Sequence, residues 1–413
     1  MSNNGAEPRE FDVIVQGASG FTGVLVAEYL LRQYGIGNEL RWAIAGRSEE
    51  KLNSVRENLG SEAADLPILV ADSFDQQALN DLAGRTRVVL TTVGPYALYG
   101  SGLVEACVNA GTHYCDLAGE VQWIRQMIDQ HHVAAKRTGA MIVHCCGFDS
   151  VPMDIGVWHL QQATYKKHGS YCTAISMLVK ATKGTASGGT IASMMNLIKT
   201  SREDRDIARI LTHPYSLNPE GERDGPDRRD QKKIVYREDV GTWTAPFVMA
   251  GVNTKVVRRS HALAAYPYGK DFLYDESVAT GRGIGGWLKA TIVTLGLGSI
   301  VFLASYSPTR RFLQKFVLPK PGEGPDRKLQ HDGFFNLMQI GVLPDGTQVR
   351  GRITGDQDPG YGSTSKMLSE SAVCLAKDEL SCGGGVWTPA AAMAAPLIKR
   401  LRDNAGLTFE LVD

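Results

Sequence analysis

Gly17-Ala18-Ser19-Gly20-Phe21-Thr22-Gly23 follows directly on the apolar run Phe11 to Gln16 and opens the amphipathic stretch Thr22 to Tyr34. Glycines spaced this way between a strand and a helix allow a tight turn, close backbone approach to a pyrophosphate, and helix N-terminal amides aimed at that anion. The rhythm continues beyond the motif. Strands are predicted over Arg41 to Ala45, Pro67 to Ala71, Val88 to Val93, His113 to Leu117 and Met141 to Cys145. Helices fall between them over Ser48 to Leu59, Gln76 to Ala83, Gly102 to Ala110 and Val121 to Arg137. Apolar runs alternating with helices build βαβ units on a parallel sheet. The expected fold class is therefore α/β, a Rossmann-type doubly wound parallel sheet over residues 1–155. After Val151 the rhythm stops. Residues 156–382 read as an α+β domain with a mixed sheet, including strands Tyr171 to Lys180 and Val342 to Gly351 and a helix Ile191 to Ser201.

The second strand ends in Ala45-Gly46-Arg47-Ser48. An acid there would bond a ribose 2′-hydroxyl and repel a 2′-phosphate, whereas a small residue followed by Arg47 makes room for the phosphate and offers it a fork-shaped cation. A cation at a helix start is otherwise unfavourable. The cofactor expected is NADP(H), with Gly17, Ser19, Gly20, Phe21, Thr22 and Gly23 around the pyrophosphate and Arg47 and Ser48 at the 2′-phosphate. Ser19 and Thr22 have the alternative of capping the helix. Asp72, ending the third strand, would hold the adenine amino group or cap the next helix. Val93-Gly94-Pro95 ends the fourth strand, where backbone approaches a bound dinucleotide, and Tyr96 and Tyr99 would then lie toward the nicotinamide. Tyr96 is the first candidate proton donor, with packing as its alternative. Asp116 to Glu120 and Gly147 to Asp154 add carboxylates at the same edge. Asp116 is counted with the cofactor site and Asp149 with catalysis, although Asp149 or Asp154 would also serve as a cap for the helix that Pro152 opens.

Other classes recede on composition. The 44 basic and 44 acidic side chains cancel, which leaves no global field for a polyanion, so nucleic acid is not an expected partner. The polar start, Met1 to Glu10, has no signal-peptide pattern, and seven cysteines lack disulfide or zinc spacing; a cytoplasmic protein with free thiols is expected. Cys145 and Cys146 read as packed thiols. Tyr266 and Lys270 match a Y-x-x-x-K spacing, but Pro267 and Gly269 argue against the helix that chemistry needs. His131 and His132 have no companions at metal spacing, and no metal is expected. Leu217 to Lys233, dense in charged residues, proline and glycine, reads as a solvated, mobile loop.

One stretch departs from the soluble pattern. Ala290 to Ser305 carries no charge, and the apolar segment extends over 285–306. The first reading is a buried helix. The second is peripheral membrane contact through 285–315, with Trp287 on one side and Arg310, Arg311 and Lys315 on the other.

Taken together, the sequence resembles the saccharopine dehydrogenase-like oxidoreductases, which include bacterial trans-acting enoyl reductases. The similarity rests on Gly17 to Gly23, Ala45 to Arg47, Val93 to Tyr96, Asp116 to Glu120, Gly147 to Pro152 and Gly383-Gly-Gly-Val-Trp-Thr-Pro389, in order along nearly the whole chain. The resemblance implies oxidoreductase activity and a C-terminal segment, 383–413, that packs back near the cofactor domain. It also implies an apolar, acyl or lipid-related substrate reduced at a C=C or carbonyl group, and an acyl-carrier or polyketide synthase partner. Two other readings stay open: a saccharopine-like amino-acid dehydrogenase, and a membrane or lipid-droplet binding protein with little turnover. A homodimer also stays open.

Overall fold

The computed structural model describes residues 9–37, 39–184, 188–227, 230–306, 308–309, 324 and 326–412. Its first half alternates strands and helices: β1 (Phe11–Gln16), α1 (Phe21–Tyr34), β2 (Trp42–Gly46), α2 (Glu49–Asn58), β3 (Ile68–Val70), α3 (Gln76–Gly84), β4 (Thr86–Thr91), α4 (Tyr96–Tyr99), α5 (Ser101–Ala110), β5 (His113–Cys115), α6 (Val121–Thr138), β6 (Met141–Val143) and α7 (Val151–His168). The second half contains β7 (Ala174–Lys183), α8 (Gly188–Glu203), α9 (Arg205–Thr212), β8 (Val235–Arg237), β9 (Thr242–Pro246), α10 (Ala250–Leu263), β10 (Leu273–Gly281) and α11 (Gly283–Ala304). It closes with α12 (Arg327–His331), β11 (Phe334–Val342), β12 (Gln348–Gly355), α13 (Gly362–Lys377), β13 (Gly385–Trp387), α14 (Pro389–Asn404) and β14 (Leu407–Val412).

Among the described residues two seven-stranded sheets result. The first is parallel, in the order β13-β6-β5-β4-β1-β2-β3. All six residues of β1 are buried, as the central strand of a sheet covered on both faces must be. One cover is α13, whose residues from Gly362 to Ala376 are all buried and which lies on β1, β4 and β5 beside α1. The seventh strand comes from the far end of the chain, where Gly385 pairs with Met141 and Trp387 with Val143. The second sheet, β14-β12-β11-β7-β10-β9-β8, is mixed: β7 and β10 run parallel and its other neighbours antiparallel. Because β13 joins one sheet and β14 the other, the last thirty or so residues tie both together.

Three local expectations are corrected. Val342 to Gly351 is not one strand but the turn of a hairpin, since Pro344-Asp345-Gly346 breaks the ladder and Gly346 takes φ 86°. The charged loop that begins at Leu217 is held in place on its described part: Arg125 donates to Asn218 O at 2.9 Å, Arg259 to Leu217 O at 2.5 Å, and Arg258 pairs with Asp227 at 2.5 Å. The apolar segment is not a buried helix. In α11, Ile284 is 84% exposed, Ile292 64%, Leu295 65% and Phe302 62%. The flanking Arg310, Arg311 and Lys315 lie outside the described residues.

Candidate active site

The loops that follow the first sheet's strands form one hydrogen-bonded rim at its carboxyl edge. After β1, the Gly17 and Ala18 amides donate to Ala45 O, at 2.9 and 3.1 Å, which joins that loop to the end of β2. Ala71 N donates to Gly46 O at 2.9 Å, and Thr92 Oγ1 to Gly17 O at 3.1 Å. Leu117 N donates to the Tyr96 hydroxyl at 3.2 Å, and Cys146 N to Asp116 O at 2.8 Å. Each loop is thus fixed by its neighbour, the kind of preorganisation a ligand site at the carboxyl edge requires.

The glycine motif fits a dinucleotide on its own geometry. Gly17 has φ 87°, and a Cβ there would stand 2.6 Å from Val93 Cγ2. At Gly23 a Cβ would stand 2.7 Å from Ala18 Cα and closer still to Gly17 O, so only glycine lets α1 pack against the turn. No side chain caps α1 at Gly20 and its first turn holds no acid, leaving the positive end of the helix open to an anion. Ser19 lies at the end of β2, its Oγ 3.7 Å from where a Gly46 Cβ would be, and Thr22 is half-buried in the first turn. The Phe21 ring packs edge-on against Tyr361 at 4.7 Å, so its side chain serves the wall of the turn.

At the second strand's end Arg47 is exposed and, among the described residues, makes no ion pair. Ser48 caps α2, accepting from Lys51 N at 3.4 Å. Asp72 accepts from Phe74 N at 2.9 Å, and the cap of α3 is Asp75 instead. Val93, Gly94 and Pro95 lead into α4, whose first amides are met by a buried carboxylate: Glu120 accepts from Tyr96 N at 2.7 Å and Ala97 N at 3.2 Å, and also from Ser193 Oγ on α8 at 2.9 Å.

The candidate proton donors separate here. The Tyr96 hydroxyl donates to Thr91 O at 3.2 Å while accepting from Leu117 N, its ring stacks on Trp123 at 5.6 Å, and the residue is 5% exposed. Burial and the nearby Asp116 charge push the phenol well up. Its hydrogen is spent on the rim, which makes it a wall residue. Tyr99 packs edge-on against the exposed Phe74 at 5.6 Å. Asp116 is buried and both its oxygens are occupied, by Ala118 N at 2.9 Å, Cys145 N at 3.2 Å, the Tyr114 hydroxyl at 3.0 Å and His144 Nδ1 at 2.7 Å. It holds the loops after β5 and β6 together.

Asp149 differs from all of these. It stands in the loop after β6, partly exposed, yet its Oδ1 is sealed from solvent and has no hydrogen-bond partner among the described residues. Burial pushes its carboxyl up to about 7. It does not cap α7, which starts at Val151 with no side-chain cap. Asp154 does not cap α7 either; it accepts from Ser260 Oγ at 2.5 Å and from Ala390 N at 2.8 Å, joining α7 to α10 and α14. Ser150 stands within the Gly147 to Asp154 motif, whereas Asn253 and Glu276, which follow it in a buried hydrogen-bonded line, belong to no motif. Alternation in β10 carries the missing signal, since Tyr274, Glu276 and Val278 share one face and two of the three are polar.

Residues 13–143 match the model of the saccharopine dehydrogenase NADP-binding domain. A Mycobacterium tuberculosis protein, provisionally described as a trans-acting enoyl reductase, is 42% identical over 98% of both chains. The trans-acting enoyl reductase of Mycobacterium leprae is 38% identical, also over 98% of both. This chain belongs to the saccharopine dehydrogenase-like oxidoreductase family. It is an NADP-dependent oxidoreductase, and the cofactor expected from Arg47 is the one the family domain binds. The yeast saccharopine dehydrogenase that forms L-glutamate superposes with a TM-score of 0.51 over 97% of this chain and 99% of its own, at 12% identity, and shares the two-sheet fold of this oxidoreductase.

Proposed function

We propose that the protein reduces the C=C bond of an apolar enoyl thioester with NADPH, and that Asp149 gives the proton. The observation that carries the reading is a carboxyl at the sheet's carboxyl edge, reachable from solvent on one side, sealed and unpartnered on the other, and held near neutrality by burial. An acid whose proton affinity lies near the working pH transfers it best. Gly17, Ser19, Gly20, Thr22 and Gly23 would hold the pyrophosphate, Arg47 and Ser48 the 2′-phosphate, and Asp72 the adenine edge. Val93, Gly94 and Pro95 would support the nicotinamide end. Bound there, NADPH supplies hydride for the β-carbon. Asp149 protonates the α-carbon of the resulting enolate, becomes a carboxylate, and recovers a proton from solvent at its exposed side.

Substrate class follows from what surrounds this edge. An amino-acid substrate needs basic side chains free to meet its carboxylates, but Arg125, Arg258 and Arg259 are engaged by backbone carbonyls, and the first two also by Asp129 and Asp227. Lys255 Nζ donates to Gly251 O at 2.7 Å. That arrangement supports an acyl chain, in agreement with the mycobacterial relatives' names, and with it a polyketide synthase or acyl-carrier partner. The deciding assay follows NADPH absorbance with a crotonyl thioester and with saccharopine plus NADP. Turnover of the thioester alone is the expected result, and turnover of saccharopine alone would overturn it.

Arg47→Ala is expected to weaken NADPH binding by about 10- to 100-fold, the worth of one or two charge-assisted hydrogen bonds, and to leave NADH binding unchanged. Isothermal titration with both cofactors checks it.

We also infer that α11 rests on a lipid surface. The helix is 22 residues long and apolar enough to cross a membrane, yet little of it is buried. A single crossing is excluded by topology, because β10 before it and β11 after it lie in one sheet. Its last turn is tied to the protein where Ala304 and Ile300 meet Met195 and Met194 of α8. Apolar side chains on an anchored helix, followed in sequence by Arg310, Arg311, Lys315 and Lys320 with no acid before Glu323, suit an anionic interface. Replacing Ile292, Leu295 and Phe302 together by glutamate is expected to abolish co-sedimentation with phosphatidylglycerol vesicles while leaving NADPH binding intact.

A further inference from the structure

Two hydrogen bonds place the loop after β3 beside the glycine turn and beside Arg47. Gln16 Nε2 donates to Ala71 O at 3.0 Å, and Ala71 N donates to Gly46 O at 2.9 Å. Ala71 is therefore bonded to the residue before Gly17 and to the residue before Arg47. Asp72-Ser73-Phe74-Asp75 follows as a turn closed twice over, since Phe74 N donates to Asp72 Oδ1 at 2.9 Å and Asp75 N to Asp72 O at 3.1 Å. Asp75 then caps α3, accepting from Ala78 N at 3.1 Å.

That turn holds Phe74 out of the core, with its residue surface 77% exposed. An aromatic side chain left in water is a large apolar surface waiting for a cover, about 150–250 Å² when fully buried. The ring is nevertheless supported. Tyr99 meets it edge-on, with ring centroids 5.6 Å apart and planes inclined at 66°, and Tyr99 N donates to Pro95 O at 3.2 Å. Behind the pair, Gln76 Nε2 donates to Gly102 O at 3.1 Å, closing the start of α3 on the start of α5. A Cβ at Gly102 would stand 2.8 Å from Gln76 Oε1, so glycine permits that approach. Phe74 and Tyr99 thus make a two-ring wall from the loops after β3 and β4, fixed through the backbone on both sides.

The wall matches the one part of the cofactor's adenosine half that polar groups do not hold. Phosphates and ribose take hydrogen bonds and cations, whereas the base is an aromatic plane that offers polar atoms only at its edge. We propose that Phe74, backed by Tyr99, is the platform on which the adenine ring of NADP(H) stacks, while Asp72 Oδ2 meets the amino group at the edge of the base. This inference rests on the reading that places the 2′-phosphate at Arg47. Stacking is indifferent to the edge of a base, because every base has a π-face. Phe74 therefore supplies affinity for a purine of either kind, and the Asp72 carboxylate, which only accepts, selects the purine that carries an amino group. The docked base in turn covers the exposed ring.

The test is isothermal titration of the full chain with NADPH, with adenosine 2′,5′-bisphosphate, and with the NADPH analogue that carries hypoxanthine in place of adenine. Phe74→Ala is expected to weaken all three by one common factor of about 10- to 100-fold, the usual worth of a base–aromatic stack, and Phe74→Trp to bind at least as tightly as wild type. Asp72→Asn keeps an acceptor for Phe74 N and turns an NH2 to the base, so it should shift the preference from adenine to hypoxanthine. Because Phe74 is exposed, its loss should leave the melting of the free protein unchanged. Wild-type affinity of Phe74→Ala for the bisphosphate overturns the proposal, and so does a loss confined to NADPH, since the bisphosphate carries the base without the nicotinamide. Where the alanine variant melts low, Phe74→Leu decides: it keeps apolar bulk without the flat ring, and binding equal to that of Phe74→Trp overturns the stack. The two readings fail separately. Arg47→Ala with its preference for NADPH intact removes the placement of the 2′-phosphate, while a weakened Arg47→Ala beside an unchanged Phe74→Ala removes only the platform.

Discussion

Asp149→Asn is expected to lower kcat by about 10²- to 10⁴-fold, the range a positioned general acid contributes, while NADPH affinity stays within about threefold of wild type. The asparagine keeps the size of the side chain and loses its transferable proton. Residual turnover should no longer decline as pH rises through about 7, because the group responsible for that limb is gone. The substitution also has a stability signature. The folded-state carboxyl titrates near 7, above the ordinary aspartate value of 3.8, so the native state holds a proton that the unfolded chain has released. Stability therefore falls as pH climbs between those two values and stays at its lower level above the upper one. The variant has nothing to ionise there. Thermal melts should show it equal to wild type near pH 4 and more stable at pH 8 by a few degrees. A variant with wild-type kcat would end the assignment, and one less stable at pH 8 would show that Oδ1 has a partner in solution.

What the sequence revealed about this site follows from how local each feature is. The parallel sheet and the glycine motif were legible because apolar periodicity and chain-adjacent glycines encode them; β1 runs over Phe11–Gln16, the bounds the apolar run predicts. The exposed position of Arg47 was legible for the same reason, two residues after a readable strand end. By contrast, β13 is three residues long and is a strand only because Met141 to Val143 lies beside it, more than two hundred residues earlier. Nor does the buried run of α13 say which sheet it covers. The hairpin at Pro344 was misread because the apolar runs on either side of the turn merge in sequence. For α11, composition is silent on whether an oily helix faces protein or not. Tyr96 illustrates the limit most directly: its position at a strand end was right to notice, but the Thr91 carbonyl and the Leu117 amide that occupy its hydroxyl are contacts of the folded rim. Asp149 was visible as a strand-end acid, but that its Oδ1 is sealed and without a partner among the described residues is a property of the folded loop.

Gly23→Ala is expected to remove detectable NADPH binding and to destabilise the fold by about 1–3 kcal/mol, the cost of forcing a methyl group into a packed contact. The atoms in its way are backbone. The new Cβ would stand 2.7 Å from Ala18 Cα and nearer still to the Gly17 carbonyl, and neither can swing aside as a side chain can. Relief requires α1 to back away from the turn between β1 and the helix. Gly17 is bonded to Ala45 and Thr92, so that motion would tear the rim that joins the loops after β1, β2 and β4. The amides at the open end of α1 would then lose their aim at the pyrophosphate, and a binding loss larger than the stability loss follows from the geometry. Gly251→Ala provides the contrast. It lies in the first turn of α10, a Cβ there meets nothing within 4 Å, and it should bind NADPH normally and melt no lower than wild type. Fluorescence titration with NADPH and thermal denaturation of both variants decide the matter: normal cofactor binding by Gly23→Ala would mean that the close packing of α1 on its turn is not what builds the phosphate site.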